Sequence, residues 1–397
     1  MAVKEVKKDI FFVGAIDWDR RIFDELVPLP DGTSYNAYIV KGSEKIALID
    51  TVDPPKEEEL LRNLAALNLE KIDYIVSNHA EQDHSGTIPK ILELYPSAKV
   101  VTNQKCKGFL QDLLFIPDEK FIVIKDRETL SLGDKTLEFI FAPWVHWPET
   151  MFTYVKEDKV LFTCDFLGSH LATSALFAEN EPEDDPKAYP EVKRYYAEIM
   201  MPFRNHIKKH LKMIKEMEID VIAPSHGVIY KHSKASSILK IYEEWVSDHV
   251  KNEVLIPYIS MHESTAKMVD YVVDKLIENG ICVKPFNITK TDIGELAIAL
   301  VDAATIIIGS PMVLAGPHPD IVSTTYLINA LRPKTKYISL IGSYGWGGRL
   351  EETIKGLLSS LKAEFIPPVV VKGHPKKEDF KNLDRLVKDI AERHKNL

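Results

Sequence analysis

The sequence predicts an α/β protein of two layered domains. Its length is the first reason, because 397 residues exceed what a single hydrophobic core usually supports. The second is the N-terminal part, where β-type runs follow one another closely with a few helices interposed, the pattern of a layered domain with two sheets. The third is a change of pattern near residue 250. Beyond it apolar strands alternate with helices of about 12–15 residues. Such alternation means right-handed crossovers and a parallel sheet covered on both faces.

In chain order, the expected strands of the first domain are "FFVGAI", "SYNAYIV", "KIALID", "KIDYIV", "KVVTN", "KFIVI", "TLEFIFA", "MFTYV" and "KVLFTCD". Each is a short run of apolar residues, many of them β-branched or aromatic, bounded by turn or charged residues. Helices are expected at 55–69, 88–95 and 187–218, and one more follows "DVIAPSHG" through "ASSILKIYEEWV". The second domain then reads "EVLIPYIS", "TAKMVDYVVDKLIENG", "CVKPFNI", "ELAIALVDA", "TIIIGS", "KYISLIGS", "EETIKGLLSSL" and "EFIPPVVV". Its strands are nearly continuous in apolar residues, as buried parallel strands are. The boundary falls in "VSDHVKNE", giving domains 1–251 and 252–397.

Composition narrows the function. An apolar fraction of 45% with 27% charged residues describes a globular protein. The net charge of -9 argues against nucleic acid as the main partner. "MAVKEVKKDIFF" lacks the apolar core of a signal peptide, and no run reaches membrane-spanning length, so a cytoplasmic protein is expected. The three cysteines form no CxxC pair, which fits a reducing compartment without disulfides and gives no Cys-ligated metal site.

The densest chemistry lies in "SNHAEQDHSG", where His79, Glu81, Asp83 and His84 leave an apolar strand within six positions. Spacing of this kind can direct alternate side chains toward two metal ions. His146 in "FIFAPWVHWPETM", Asp165 in "VLFTCDFLG" and His226 in "VIAPSHG" also stand at the ends of apolar runs, where binding residues of layered α/β folds converge. Together these are enough donors for two metals sharing a bridging carboxylate. Mixed imidazole and carboxylate donors without thiolate favour iron or manganese over a closed zinc site.

These motifs resemble the metallo-β-lactamase fold and, within it, the flavodiiron proteins, which implies an αββα sandwich as the first domain. Hydrolases of that fold commonly carry HxHxDH, whereas this chain has Glu81 at the second position, a harder and more anionic donor. The resemblance implies His79, Glu81 and His146 on one iron, Asp83, His84 and His226 on the other, and Asp165 between them. His170, five residues beyond Asp165, is a candidate proton donor or supporting group. Cys164 is expected to face away from the metals by strand alternation. Trp144 and Trp147 are expected to shape and dry the surroundings of His146. Aromatic packing is expected for Tyr195 and Tyr196, and solvent exposure for His206, His210, His232, His249, His374 and His394.

In the second domain, "SMHESTAKM" runs from Ser260 through Met261, His262, Glu263 and Ser264 to Thr265 before a helix, a ready phosphate site. Two further strand-end loops follow: Ser310, Pro311, Met312, Val313, Leu314 and Ala315, then Ser343, Tyr344, Gly345, Trp346, Gly347 and Gly348. Their order resembles flavodoxin, a doubly wound parallel sheet that binds FMN at its strand ends. By that resemblance the first loop holds the phosphate and the other two flank the ring.

The implied protein is a cytoplasmic oxidoreductase reducing O2 to water, NO to N2O, or both, with FMN and two iron ions as cofactors. A separate donor, either a rubredoxin-like protein or a reduced deazaflavin, would supply electrons. The family also implies a head-to-tail homodimer or a dimer of dimers. The rival readings are a dinuclear zinc hydrolase with a flavodoxin-like appendage, and an electron carrier whose first domain is a docking scaffold.

Overall fold

The computed structural model describes residues 3–180 and 188–397. It divides into two compact units, Met1–Val246 and Ser247–Leu397. The division lies a few residues before the expected 251/252 boundary. The last helix of the first unit ends at Val246 and the next strand begins at Lys251, so the stretch between belongs to neither core.

Strand periodicity explains the first unit. One sheet runs Lys4–Lys7, Ile10–Phe12, Tyr38–Lys41, Ile46–Ile49, Tyr74–Val76, Lys99–Asn103 and Phe121–Ile124. Its last four strands are mutually parallel. Successive side chains on a strand face opposite ways. Tyr38, Val40, Ala47, Ile49, Val76 and Val101 therefore enter one core, while Ile39, Leu48, Ile75 and Val100 enter another. The first core is shared with a second sheet, through Leu137, Phe139, Met151, Val155, Val160 and Phe162. The other is closed by the helices Glu57–Ala66, Ile88–Leu94 and Gln104–Leu114, which contribute Leu60, Leu64, Ile88, Ile91 and Leu110. Each fully buried aliphatic side chain of this kind stabilises the fold by about 1.5–3 kcal/mol.

The second sheet runs Thr129–Ser131, Thr136–Phe141, Met151–Val155, Val160–Cys164, Val221–Pro224 and Tyr230–Lys231. Only Val160–Cys164 and Val221–Pro224 pair in parallel. The helices Arg204–Lys215 and His232–Val246 complete the helix–sheet–sheet–helix sandwich that the sequence predicts. The helix expected over 187–218 is broken. Residue 187 lies outside the described residues, Ala188–Tyr195 is helical, and a π turn at Tyr196–Met200 and a 3-10 turn at Met201–Phe203 precede Arg204–Lys215. Pro202 stands in that break, where the missing N–H disfavours a continuous helix.

The second unit is one parallel sheet in the order Cys282–Asn287, Lys251–Tyr258, Ala303–Val313, Tyr337–Tyr344, with Glu364–Phe365 and Val369–Lys372 both beside the last. Helices Ser264–Glu278 and Lys377–His394 bury Met268, Val272, Leu276, Leu383, Leu386 and Ile390 against Val254, Ile256, Ile307 and Ile341. This is the doubly wound arrangement expected. The strand "TIIIGS" runs further than predicted, through Val313, because Met312 and Val313 fold back onto Gly316 and Pro317. Leu314 and Ala315 make the turn with φ of 52° and 63°. Among the described residues, no helix is long and apolar enough to cross a membrane.

Candidate metal centre and flavin cleft

Parallel strands end at one edge of each sheet, and the chain leaves those ends carrying the polar residues singled out above. His79 follows Tyr74–Val76, Asp165 follows Val160–Cys164 and His226 follows Val221–Pro224. Glu81 is the residue before the short helix Gln82–Ser85, which carries Asp83 and His84. His146 comes from the loop between Thr136–Phe141 and Met151–Val155.

These seven side chains converge as two groups. Ligating atoms of His79, Glu81, His146 and Asp165 lie within 4.8 Å of one another, and so do those of Asp83, His84 and His226. The alternation along "HAEQDH" thus sends His79 and Glu81 to one group and Asp83 and His84 to the other. Asp165 divides its carboxylate between them. Its Oδ2 is 3.6 Å from His79 Nε2 and 3.5 Å from His146 Nε2. Its Oδ1 is 2.9 Å from His84 Nε2 and 3.3 Å from His226 Nε2.

The electrostatics match a place built for positive charge. Burial pulls the His146 and His226 imidazoles down, but facing carboxylates outweigh it and hold them at about 9 and about 10. Burial pushes Glu81 up, yet His146 and His79 bring it below its usual range. Asp165 is lowered further against its own burial, by His84, His146 and His226. Asp83 Oδ1 is buried with no hydrogen-bond partner. A buried carboxylate oxygen without a donor is costly, and a cation held by the Asp83 group removes that cost.

The outer contacts fix ring orientation. His79 Nδ1 donates to Glu149 Oε1 at 2.7 Å, and both side chains are fully buried. His226 Nδ1 donates to the Ser34 carbonyl at 2.6 Å. Such partners set the tautomer that leaves Nε2 free for a metal. Glu149 was not foreseen, although it stands three residues after His146 in "HWPETM". Trp147 packs edge-on against His79 with centroids 4.8 Å apart, whereas Trp144 is 45% exposed and stacks on Phe203, which in turn packs against His146.

Tyr195 also exceeds its expected packing role, because its hydroxyl donates to Asp165 Oδ1 at 3.1 Å. Tyr196, by contrast, packs on Tyr242 and Trp245 as expected. His170 is not among the converging donors. It is buried between Tyr195, His226 and Phe23, with Nδ1 2.9 Å from Thr33 Oγ1. Burial and the nearby His226 hold it well below the ordinary imidazole range, so it is neutral. Cys164 does not turn away. Its φ of 51° breaks the strand alternation and its thiol donates to Asp165 Oδ2 at 3.7 Å. Burial and the Asp165 charge push that thiol well up, which keeps it a neutral donor. At the exposed turn after Phe23, Asp24 is raised to about 6 by partial burial and by the charges of Glu81 and Asp83.

In the second unit, the three strand-end loops border a cleft of about 190 Å³. Met261, His262, Ser264, Pro311, Met312, Ser343, Tyr344 and Gly345 line it. Ser260 takes the Ala266 N–H onto its hydroxyl at 3.1 Å, and Thr265 is buried within 3.3 Å of the Ser343 hydroxyl. Ser310 turns inward, donating to the Pro311 carbonyl and accepting from the His318 N–H, so it braces its loop. Leu314 and Trp346 are 87% and 71% exposed, outside the cleft. Val313, Ala315, Glu263, Gly347 and Gly348 do not line it either. The Ser264 and Ser343 hydroxyls and the start of helix Ser264–Glu278 line the cleft together with Pro311, Met312 and Tyr344, a composition that fits a phosphate joined to an aromatic ring.

The family model described as "ODP family beta lactamase" matches residues 33–227, a span containing all seven converging donors. A nitric oxide reductase of Moorella thermoacetica is 36% identical over 97% of each chain. Among solved structures, the rubredoxin oxygen:oxidoreductase of the anaerobe Desulfovibrio gigas superposes with a TM-score of 0.94, at 30% identity and 99% coverage of both chains. The flavodiiron protein of Giardia intestinalis gives a TM-score of 0.89 at 27% identity, covering 99% of this chain and 97% of that one. With similarity running the whole length of both units, and the donor groups in place, the chain belongs to the flavodiiron protein family.

Proposed function

We propose that this protein is a cytoplasmic oxidoreductase that reduces O2 to water, NO to N2O, or both, at a di-iron centre in its first unit. The observation that carries the reading is the Asp165 carboxylate, one oxygen turned to each donor group. His79, Glu81 and His146 would hold one iron, Asp83, His84 and His226 the other, with Asp165 bridging. The FMN would lie in the cleft, its phosphate by Ser264 and its ring between Pro311–Met312 and Tyr344–Gly345. When bound, two iron ions would supply open positions and electrons for a diatomic ligand, and a flavin would relay electrons to them from a separate donor.

The chain's own groups do the rest. Glu149 and the Ser34 carbonyl keep the His79 and His226 rings aimed inward. Tyr195 offers a hydroxyl proton beside Asp165, and neutral His170 packs on Tyr195 and His226 as a support. Phe23 packs tilted against His170 and edge-on toward His226. Rubredoxin appears in the name of the Desulfovibrio gigas relative. A rubredoxin-like protein is therefore one candidate donor here and a reduced deazaflavin the other. A head-to-tail homodimer, or a dimer of dimers, belongs to the same reading. The zinc hydrolase alternative is disfavoured by Glu81, whose carboxylate sits 3.0 Å from His79 and 3.3 Å from His146 where an imidazole would be needed.

The test is anaerobic reduction of iron-loaded, FMN-replete protein, then stopped-flow mixing with O2 and, separately, with NO. Fast oxidation of flavin and iron by either gas is expected, and the ratio of rates gives the preference. Flavin reoxidation no faster than in metal-free protein would overturn the reading.

A further inference from the structure

Tyr195 reaches Asp165 from a stretch of chain that also feeds an aromatic core. It ends helix Ala188–Tyr195, and Tyr196 opens the π turn that follows. Single π turns frequently mark functional sites. Here one backbone step separates two different surroundings. The Tyr195 hydroxyl bonds Asp165 Oδ1 at 3.1 Å, whereas the Tyr196 ring packs on Tyr242 and Trp245.

Those three rings form a closed group. Centroids lie 5.1 Å apart for Tyr196–Trp245 and 5.3 Å apart for both Tyr196–Tyr242 and Tyr242–Trp245. Tyr242 and Trp245 stand three apart on helix His232–Val246 and so share a face. All three are buried. From Trp245 the next ring is Tyr189, 5.8 Å away and 49% exposed. A series of oxidisable rings thus runs from the Asp165 carboxylate to solvent, all within the first unit. Phe166, beside Asp165, also meets Tyr242, at 5.4 Å. Its ring has no oxygen or nitrogen lone pair and resists one-electron oxidation, so the route passes through Tyr195.

Taking the donor groups to hold the redox metals proposed above, we infer that Tyr195, Tyr196, Trp245 and Tyr189 form a relay carrying oxidising equivalents from the metal centre to the surface. It works when O2 has oxidised the centre and no reduced flavin is left to resupply it. Each event moves one electron. The Tyr189 O–H bond breaks, its proton goes to water, and its electron steps inward through Trp245 and Tyr196 to Tyr195 and the centre. As the electron passes, the Tyr195 proton shifts along its hydrogen bond to Asp165 and back. A soluble thiol then returns a hydrogen atom to the Tyr189 oxygen, and two of the resulting thiyl radicals join as a disulfide. Electron transfer weakens steeply with distance, so neighbouring rings make the series a faster exit than attack on the histidine donors.

Iron-loaded, FMN-replete protein is reduced and mixed with excess O2 and a nitroso spin trap, then digested for peptide mass spectrometry. A parallel sample without trap is frozen for electron paramagnetic resonance. Wild type gives a tyrosyl signal and a trap adduct on Tyr189. Trp245→Phe keeps the packing but interrupts the series, so the Tyr189 adduct is lost while flavin and iron are oxidised at the wild-type rate. Trp245→Tyr, whose ring can again pass an electron, restores the adduct, which a folding defect would not allow. Equal adduct on Tyr189 in wild type and Trp245→Phe would overturn the inference, as would the absence of a protein radical from all three proteins. If O2 oxidised flavin no faster than in metal-free protein, the reading of the metal centre itself would fall. If oxidation were fast and Tyr189 stayed unlabelled in wild type, only the relay would.

Discussion

Glu149 would act on a metal held at His79 through the His79 ring. It is fully buried, holds His79 Nδ1 at 2.7 Å and also accepts the Ala80 N–H at 3.1 Å. Removing a carboxylate of this kind typically lowers metal affinity by about 10–100-fold. Glu149→Gln should therefore lose iron to a competing chelator at concentrations the wild type withstands, with its far-ultraviolet circular dichroism unchanged. Iron retained equally by both would mean that His79 is oriented by packing alone. At the same scale, the seven donors were legible in the sequence because each is a polar residue in or after an apolar run. Glu149 and Tyr195 were not, because their partners lie 70 and 30 residues away and neither contact leaves a local pattern.

At the scale of elements, two helix and loop ends carry consequences. Gly227 follows His226 with φ of 76°, and a Cβ there would stand 2.1 Å from Ser169 Oγ and 2.8 Å from the Ser169 carbonyl. Gly227→Ala should displace the loop that aims His226, costing on the order of 1–3 kcal/mol of stability. The iron content of that variant should fall toward one per chain, measured by metal analysis beside a denaturant titration. The other end is that of Lys377–His394. A helix C-terminus favours a charged imidazole, yet burial wins and brings His394 down to about 4 from 6.5. Its nitrogens meet Thr305 Oγ1 at 2.7 Å and Asn252 Oδ1 at 2.8 Å.

The sign of the resulting pH effect follows from which state takes the proton. Between about 6.5 and 4 the unfolded chain is protonated at His394 and the folded chain is not. Stability is therefore full above that window and falls as pH drops through it. Hydrogen exchange in Ala303–Val313 should speed up from pH 6.5 to 4 after correction for the intrinsic rate, and His394→Gln should flatten that rise. The sequence had assigned His394 to solvent. A charged C-terminal helix looks exposed on its own, and only its docking on the sheet reveals the buried end.

For the whole molecule, two compact units with separate cores imply two responses to ligand. A ligand that binds only the folded form stabilises it in proportion to the logarithm of its saturation, about 2.7 kcal/mol at a hundredfold excess over Kd. Calorimetry of the full chain should show iron raising one unfolding transition and FMN raising the other. A single transition moved equally by both would mean that the units unfold as one.

By itself the sequence determined the two-part α/β architecture, because residue periodicity sets which face of a strand or helix is buried. It also supplied the seven donors and the three strand-end loops, since parallel strands deliver their exits to one edge. Tertiary structure alone decided the break in the helix before Arg204, the inward turn of Cys164, the reach of Tyr195 to Asp165 and the place of His374 in the lining of the cleft. Each of these depends on contacts between residues far apart in the chain or on a backbone angle at a single residue, and neither is written in a local pattern of polar and apolar side chains.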